Sequence, residues 1–189
     1  MRYDLDSLTD VALNVFRERG YDATSMEDLA KAAGLSKAAF YHHIKGKEDL
    51  LARGLNRALD ALFAVLEERE SVVGTPEERL RHVIKRLIEL EHDLLAEVTV
   101  LLRTRGNSST ERAALERRRL FDRRVGDLIK LAQRGGSVRS DIDAHLASRL
   151  VVGMATSITE WYLPGGRLDA DSLATHVVAL AFDGMSAAR

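Results

Sequence analysis

Apolar residues recur at three- and four-residue intervals along most of the chain, and no stretch alternates for long with the period of two that a half-buried strand requires. Leu8, Val11, Ala12, Val15 and Phe16 form the first such stripe and predict a helix over 4–19, with Gly20 as its natural stop. Thr24 stands three residues before Glu27, a capping-box spacing that opens a second helix over 25–33. Gly34 supplies the turn, where a left-handed backbone costs glycine little. Ser36 caps a short third helix ending near 44, Lys45-Gly46 breaks the pattern, and a fourth helix is expected over 47–70.

Thr75, Pro76 and Glu78 then have the residue types of an N-cap, N1 and N3, a strong helix start. A fifth helix is expected to 92 and a sixth to 105, before the loop Gly106-Asn107-Ser108-Ser109. A seventh covers 110–133 and ends at Gly135-Gly136. Asp143 caps an eighth that runs to 163, where Pro164-Gly165-Gly166 stops it, and Asp169 opens a ninth reaching 186. No internal repeat or low-complexity tract interrupts this order. The expected fold is all-α, with about nine helices. Residues 1–46 form a three-helix bundle containing a helix-turn-helix, and 47–189 form a larger helical domain, with the helix over 47–70 connecting the two.

Composition agrees with helix: 189 residues contain only two prolines, and 46% are hydrophobic against 30% charged. Cysteine is absent, which excludes disulfides and thiolate metal sites. The N-terminus has neither an apolar signal core nor an Arg-rich presequence, and no apolar run approaches the ~18 residues needed to span a bilayer. A cytoplasmic protein without membrane contact is expected.

Net charge is −1, but the charge is uneven. Lys31, Lys37, Lys45 and Lys47 fall in a stretch without an acid, and residues 103–139 carry eleven Lys/Arg against four Asp/Glu. Screening limits a charge's reach to about 8–10 Å, so local sign decides what a surface can bind. An overall balance near zero does not exclude DNA.

The third helix is too short to be stable alone and must lean on its neighbours. Leu29, Ala30, Leu35 and Phe40 are spaced to bury one side of the two-helix unit against the first helix. Lys37, Ala38, Ala39, Tyr41 and His42 are left facing outward. Lys37 has the reach for phosphate or guanine acceptors, the two alanines allow close approach and thymine-methyl contact, and Tyr41 and His42 offer donors. Thr24 and Ser25 at the start of helix two, Ser36 at the start of helix three and Lys47 at the start of helix four complete the candidate contacts to double-stranded DNA.

The joint order of these residues resembles the Tet-repressor family of bacterial transcriptional regulators. The likeness runs through ALNVFRERGYDATS, MEDLAKAAGLS and KAAFYHHIKGKEDLL, roughly residues 8–51, and beyond that in helix pattern only. The shared features are Ser36-Lys37, then Phe40-Tyr41-His42-His43-Ile44, then Lys47-Glu48, with Ile44 where the family usually has phenylalanine. The resemblance implies DNA contacts from Ser36, Lys37, Tyr41 and Lys47. It also implies a helical domain that dimerises through the last two long helices and holds a small-molecule effector.

The larger half supports this in its own pattern. Leu146, Leu150, Val151, Met154, Ile158 and Trp161 share one broad face of helix eight, and Leu173, His176, Val177, Leu180, Ala181 and Gly184 one of helix nine. Two such helices per chain can build a four-helix homodimer interface, or can fill the monomer core. Leu150, Met154, Ile158, Val177 and Leu180 are the candidate interface. For the effector the candidates are the apolar Leu87, Val98, Leu101, Leu120 and Trp161 with the cations Arg103, Arg117 and Arg124, since guanidinium pairs bidentately with phosphate and carboxylate. The run Glu160-Trp161-Tyr162-Leu163-Pro164-Gly165-Gly166-Arg167-Leu168 resembles the helix-eight ending of Tet-type regulators of fatty-acid, aromatic-acid and sterol-ring catabolism, many of which sense acyl-CoA thioesters.

The reading is therefore a homodimeric, ligand-released repressor on a palindromic operator, its effector an acyl-CoA. The alternatives are a different hydrophobic effector, as in drug-efflux regulators, or activation in place of repression. The chain has no HExxH and no phosphate loop, and His82 and His92 lie ten apart on one expected helix, too distant for joint ligation. No enzyme activity, cofactor or metal is expected.

Overall fold

The computed structural model describes residues 4–162 and 169–185, without the side chains of His43 and Met185. Within them the chain is all-α: α1 Leu5–Arg19, α2 Met26–Ala32, α3 Lys37–His43, α4 Lys47–Glu67, α5 Arg69–Val72, α6 Pro76–Asp93, α7 Leu95–Arg103, α8 Ser109–Arg134, α9 Ala144–Thr156, α10 Ile158–Trp161 and α11 Ala170–Met185. It packs as two compact units, one of Met1–Leu59 with Leu94–Glu116 and one of Asp60–Asp93 with Arg117–Arg189. Helices α4 and α8 contribute residues to both.

In the first unit the predicted stripe of α1 is buried at Leu8, Ala12, Val15 and Phe16, and Leu13 joins it. Leu29 and Ala30 of α2, Phe40 of α3, Leu50, Leu51 and Leu55 of α4, and Val98, Val100 and Leu101 of α7 complete this core. Gly54 lets α4 close on α1, because a Cβ there would stand 2.2 Å from Leu13 Cδ2. Gly34, at φ 67°, makes the expected left-handed turn between α2 and α3. Arg57 of α4 pins the start of α1 by ion pairs to Asp6 at 2.8 Å and Asp10 at 2.5 Å.

The capping box of α2 sits one residue later than its expected place. Ser25 is the N-cap, and Asp28 closes the box: the Asp28 amide donates to Ser25 Oγ at 3.1 Å and the Ser25 amide to Asp28 Oδ2 at 2.9 Å. The Ser25 hydroxyl and then the Ser25 amide, both donating to Asp28 Oδ2, hold the Asp28 carboxyl below its ordinary value. Thr24 turns inward, 2% exposed, and its hydroxyl donates to the Gly20 carbonyl.

In the second unit Leu80, Val83, Ile84, Leu87 and Ile88 make the buried side of α6, which packs on α11 and α9. Phe121, Val125, Leu128 and Ile129 of α8 join this core. The Thr75-Pro76-Glu78 start forms as expected, with reciprocal bonds between Thr75 and Glu78. Two expected helices are broken near their ends. The fourth stops at Glu67, and the Ser71 hydroxyl bonds the Val65 carbonyl while α5 adds one turn. The eighth gives way at Ser157, whose hydroxyl donates to the Met154 carbonyl, before one-turn α10. The Pro164-Gly165-Gly166 stop and the end of the ninth helix at 186 lie outside the described residues.

Candidate DNA-binding and effector sites

The outer face of α3 is positioned by what its inner face buries. Phe40 and Ile44 are in the core, so Lys37, Ala38, Tyr41 and His42 are turned to solvent and Ala39 is half-buried. Ser36 caps the helix, its Oγ accepting from the Ala39 amide at 3.2 Å. Ser25 is exposed but its hydroxyl bonds Asp28 at 2.6 Å. Lys37 pairs with Glu27 of α2, which holds its ammonium above the ordinary lysine value. The Thr24–Glu27 box would have occupied Glu27; with Ser25 and Asp28 in that role, Glu27 is free to pair with Lys37.

Two of the proposed DNA contacts are placed differently from expectation. Thr24 is buried and spends its hydroxyl within the first unit, so it presents nothing to DNA. Lys47 is half-buried. Its Nζ donates to the carbonyls of Tyr21 at 3.0 Å and Thr24 at 3.1 Å and lies 4.5 Å from the centre of the Tyr21 ring. It clamps the α1–α2 loop, and nothing in the sequence pattern separates that use from an exposed phosphate contact.

The eight effector candidates are not gathered into one unit. Val98, Leu101 and Arg103 belong to the first, Leu87, Arg117, Leu120, Arg124 and Trp161 to the second. Leu87, Val98 and Leu101 are buried, whereas Leu120 and Trp161 are exposed. Arg103 donates to the Arg17 carbonyl and lines a cavity of about 650 Å³ in the first unit, with Phe16, Tyr21, Leu51, Arg105 and Glu111 among its walls. The Glu111 carboxylate holds the loop beside it by accepting from the amides of Arg105, Gly106 and Asn107. Arg117 is paired with Asp60 at 2.6 Å and Arg124 with Glu67 at 2.8 Å. Two of the three arginines expected to meet an anionic ligand, Arg117 and Arg124, are thus already paired with carboxylates of α4.

Of the dimerisation candidates, Leu150 is 61% and Leu180 68% exposed, and Met154 is half-buried. Leu146 and Trp161 extend the exposed apolar line along α9 and α10. Ile158 and Val177 point inward, 4% and 6% exposed, and serve the monomer core, so the proposed interface loses them.

The comparisons with known proteins bear on what this arrangement is for. Residues 8–53 match the family model for bacterial regulatory proteins of the tetR family, and residues 73–185 match the tetracyclin repressor-like C-terminal domain. The chain belongs to the TetR family. Its similarity to the transcriptional repressor KstR2 of Rhodococcus jostii is 31% identity, covering 95% of this chain and 89% of that one. SCO3833, a TetR-family regulator of Streptomyces coelicolor, is 49% identical over 99% of this chain and 94% of its own, with a TM-score of 0.89. AibR, solved in complex with isovaleryl coenzyme A and operator DNA, is 27% identical over 94% of this chain and 97% of its own, with a TM-score of 0.81. No helix among the described residues of this TetR-family chain is long and apolar enough to cross a membrane.

Two features escaped the sequence reading. Glu91 of α6 is 3% exposed, with a carboxylate oxygen that has no hydrogen-bond partner. Arg119, Arg123, His145 and Arg149 surround a cavity of about 350 Å³ with Asp122. The arginine run was visible in the sequence; which of its members lack a carboxylate partner was not.

Proposed function

We propose that this TetR-family chain is a homodimeric repressor that binds a palindromic operator through α3 and is released by a small-molecule effector, an acyl-CoA thioester. The observation that carries the DNA reading is the division of α3, with Phe40 and Ile44 in the core and Lys37, Ala38, Tyr41 and His42 outside. Ala38 and Ala39 let the helix backbone approach base edges, and Lys37 exchanges Glu27 for phosphate or guanine acceptors. Leu146, Leu150, Trp161 and Leu180 supply exposed apolar surface for the twin subunit. A two-fold pair of reading helices matches successive turns of DNA about 34–36 Å apart. An effector releases the operator if it favours a dimer with another spacing, a coupling of ~1–3 kcal/mol. The domain reading is that 1–46 binds DNA and 47–189 holds effector and partner, and the site of action is the cytoplasm. The acyl-CoA reading is supported by AibR, solved with isovaleryl coenzyme A, and the repressor reading by the likeness to the repressor KstR2.

The test is fluorescence anisotropy of fragments from the gene's own upstream region. Saturable binding that octanoyl-CoA reverses is the expected result. Binding by a monomer, or none at low ionic strength, overturns the reading.

A further inference from the structure

The arginines of α8 fall on two faces with opposite electrostatic states. Arg117 and Arg124 lie seven residues apart, on one face, and are paired with Asp60 and Glu67. Arg119 and Arg123 lie one turn apart on another face, about 200° around from Arg117 at 3.6 residues per turn. His145 and Arg149 of α9 are likewise one turn apart, and the two i,i+4 pairs converge on the cavity of about 350 Å³. Arg119, Arg123 and Arg149 are exposed and form no salt bridge among the described residues. Among the described lining residues the carboxylate is Asp122, whose pKa burial pushes up while Arg118 and Arg149 oppose the shift.

The wall is built by close packing of α8 and α9 within the second unit. Ser148 Oγ donates to the Asp122 carbonyl at 3.0 Å, joining the helices beside the cavity. One turn further along α8, Gly126 makes room for His145: a Cβ there would stand 2.2 Å from its Nδ1. Three guanidinium groups held around one half-buried carboxylate leave an excess of positive charge that no salt bridge among the described residues neutralises. Guanidinium groups present paired donors that match phosphate oxygens, and three of them can share a dianion without competing for the same lone pairs.

We propose that this basin on α8 and α9 binds the phosphate groups of the effector, with Arg119, Arg123 and Arg149 as the contacts and His145 as an additional donor. It rests on the reading that this regulator takes a small-molecule ligand and narrows that ligand to one carrying phosphate. It also moves the anion contact away from Arg117 and Arg124, whose charges are spent on α4.

The experiment is isothermal titration of the full-length protein at constant ionic strength with three probes: pyrophosphate, adenosine 3′,5′-bisphosphate and octanoyl-CoA. The proteins are wild type, the double variant Arg119→Gln/Arg123→Gln, Arg149→Gln and the conservative Arg149→Lys. Wild type binds the phosphate probes, and each glutamine variant weakens binding about 10- to 100-fold, the range for losing charge-assisted hydrogen bonds. Arg149→Lys retains charge without the planar fork and falls between. The replaced side chains are exposed, so the variants melt with wild type and bind operator as tightly when no ligand is present.

If octanoyl-CoA binds wild type and the glutamine variants equally, the basin is overturned and the acyl-CoA reading stands. Binding of pyrophosphate or the bisphosphate that needs these arginines, with octanoyl-CoA inert, keeps the basin and removes the acyl-CoA effector. Wild type that takes none of the three overturns both.

Discussion

Replacing Glu91 by leucine should stabilise the protein, by an amount that grows with pH. The residue is 3% exposed, one carboxyl oxygen has no hydrogen-bond partner, and burial pushes its pKa from the ordinary 4.5 to about 8. Between those values the unfolded chain has lost the proton and the folded chain still holds it. The folded state then binds more protons, so stability falls as pH rises through this window. Each pH unit in the window costs about 1.4 kcal/mol, which amounts to roughly 3 kcal/mol at pH 7 and about 5 kcal/mol at pH 9, and vanishes below about pH 4. A chain of this size shifts its melting temperature by about 2–4 °C per kcal/mol, so Glu91→Leu should melt roughly 6–12 °C above wild type at pH 7. Thermal unfolding of both proteins at pH 5, 7 and 9 measures the difference directly. Glu91→Gln keeps the polar shape without the titration and should flatten the pH dependence too. A wild-type advantage at pH 7, or a difference that does not change with pH, refutes the reasoning and shows that the carboxylate has a partner in solution.

Gly54→Ala places a methyl 2.2 Å from Leu13 Cδ2 and should lower the melting temperature by roughly 2–10 °C, the range for overpacking a core; an unchanged melt would show that α1 and α4 separate easily. Lys47→Met removes two bonds to carbonyls and should cost about 1–3 kcal/mol in denaturant unfolding. Operator affinity falls with it, while its salt dependence stays as in wild type; a slope reduced by one would return Lys47 to the phosphate contacts. Glu27→Gln releases Lys37 and should tighten operator binding by no more than about fivefold, because solvent screens an exposed pair; weaker binding would mean that Glu27 orients Lys37 for DNA. Leu150→Glu with Leu180→Glu changes two exposed positions and should yield a folded monomer by sedimentation, whereas a persisting dimer places the interface elsewhere.

The helix-turn-helix was legible because local rules determine it: a 3.6-residue stripe, a glycine at positive φ, and a serine cap before Lys37. Its errors are local as well. Thr24 and Ser25 are both good caps, and the choice between Glu27 and Asp28 as the closing acid depends on Thr24 being drawn into the core. Periodicity found the apolar faces of the last helices but could not divide them. Ile158 and Val177 share those faces with Leu150 and Leu180, and only packing on α6 and its neighbours shows which side is filled. The arginines fail for a longer-range reason. Asp60 and Glu67 each lie 57 residues from the arginine they neutralise, a separation at which sequence carries no pairing signal.

That pairing gives the charge of α8 two uses. A guanidinium already bonded to a carboxylate must give up that bond before it can take a ligand oxygen, so Arg117 and Arg124 gain little from an anion beyond what they lose. Arg119, Arg123 and Arg149 form no salt bridge among the described residues, so an entering dianion would break none and would relieve their mutual repulsion across the shared cavity. The two cationic surfaces of the protein differ in the same way. On α3, Lys37 has an exposed partner in Glu27, a pair that solvent screens, so operator binding as proposed there would be gated by shape and base contacts. On α8 and α9 no salt bridge among the described residues would have to break, so under the proposal the gain per ligand phosphate would be larger. A net charge near zero is compatible with both because pairing, more than the total, decides which cations remain available.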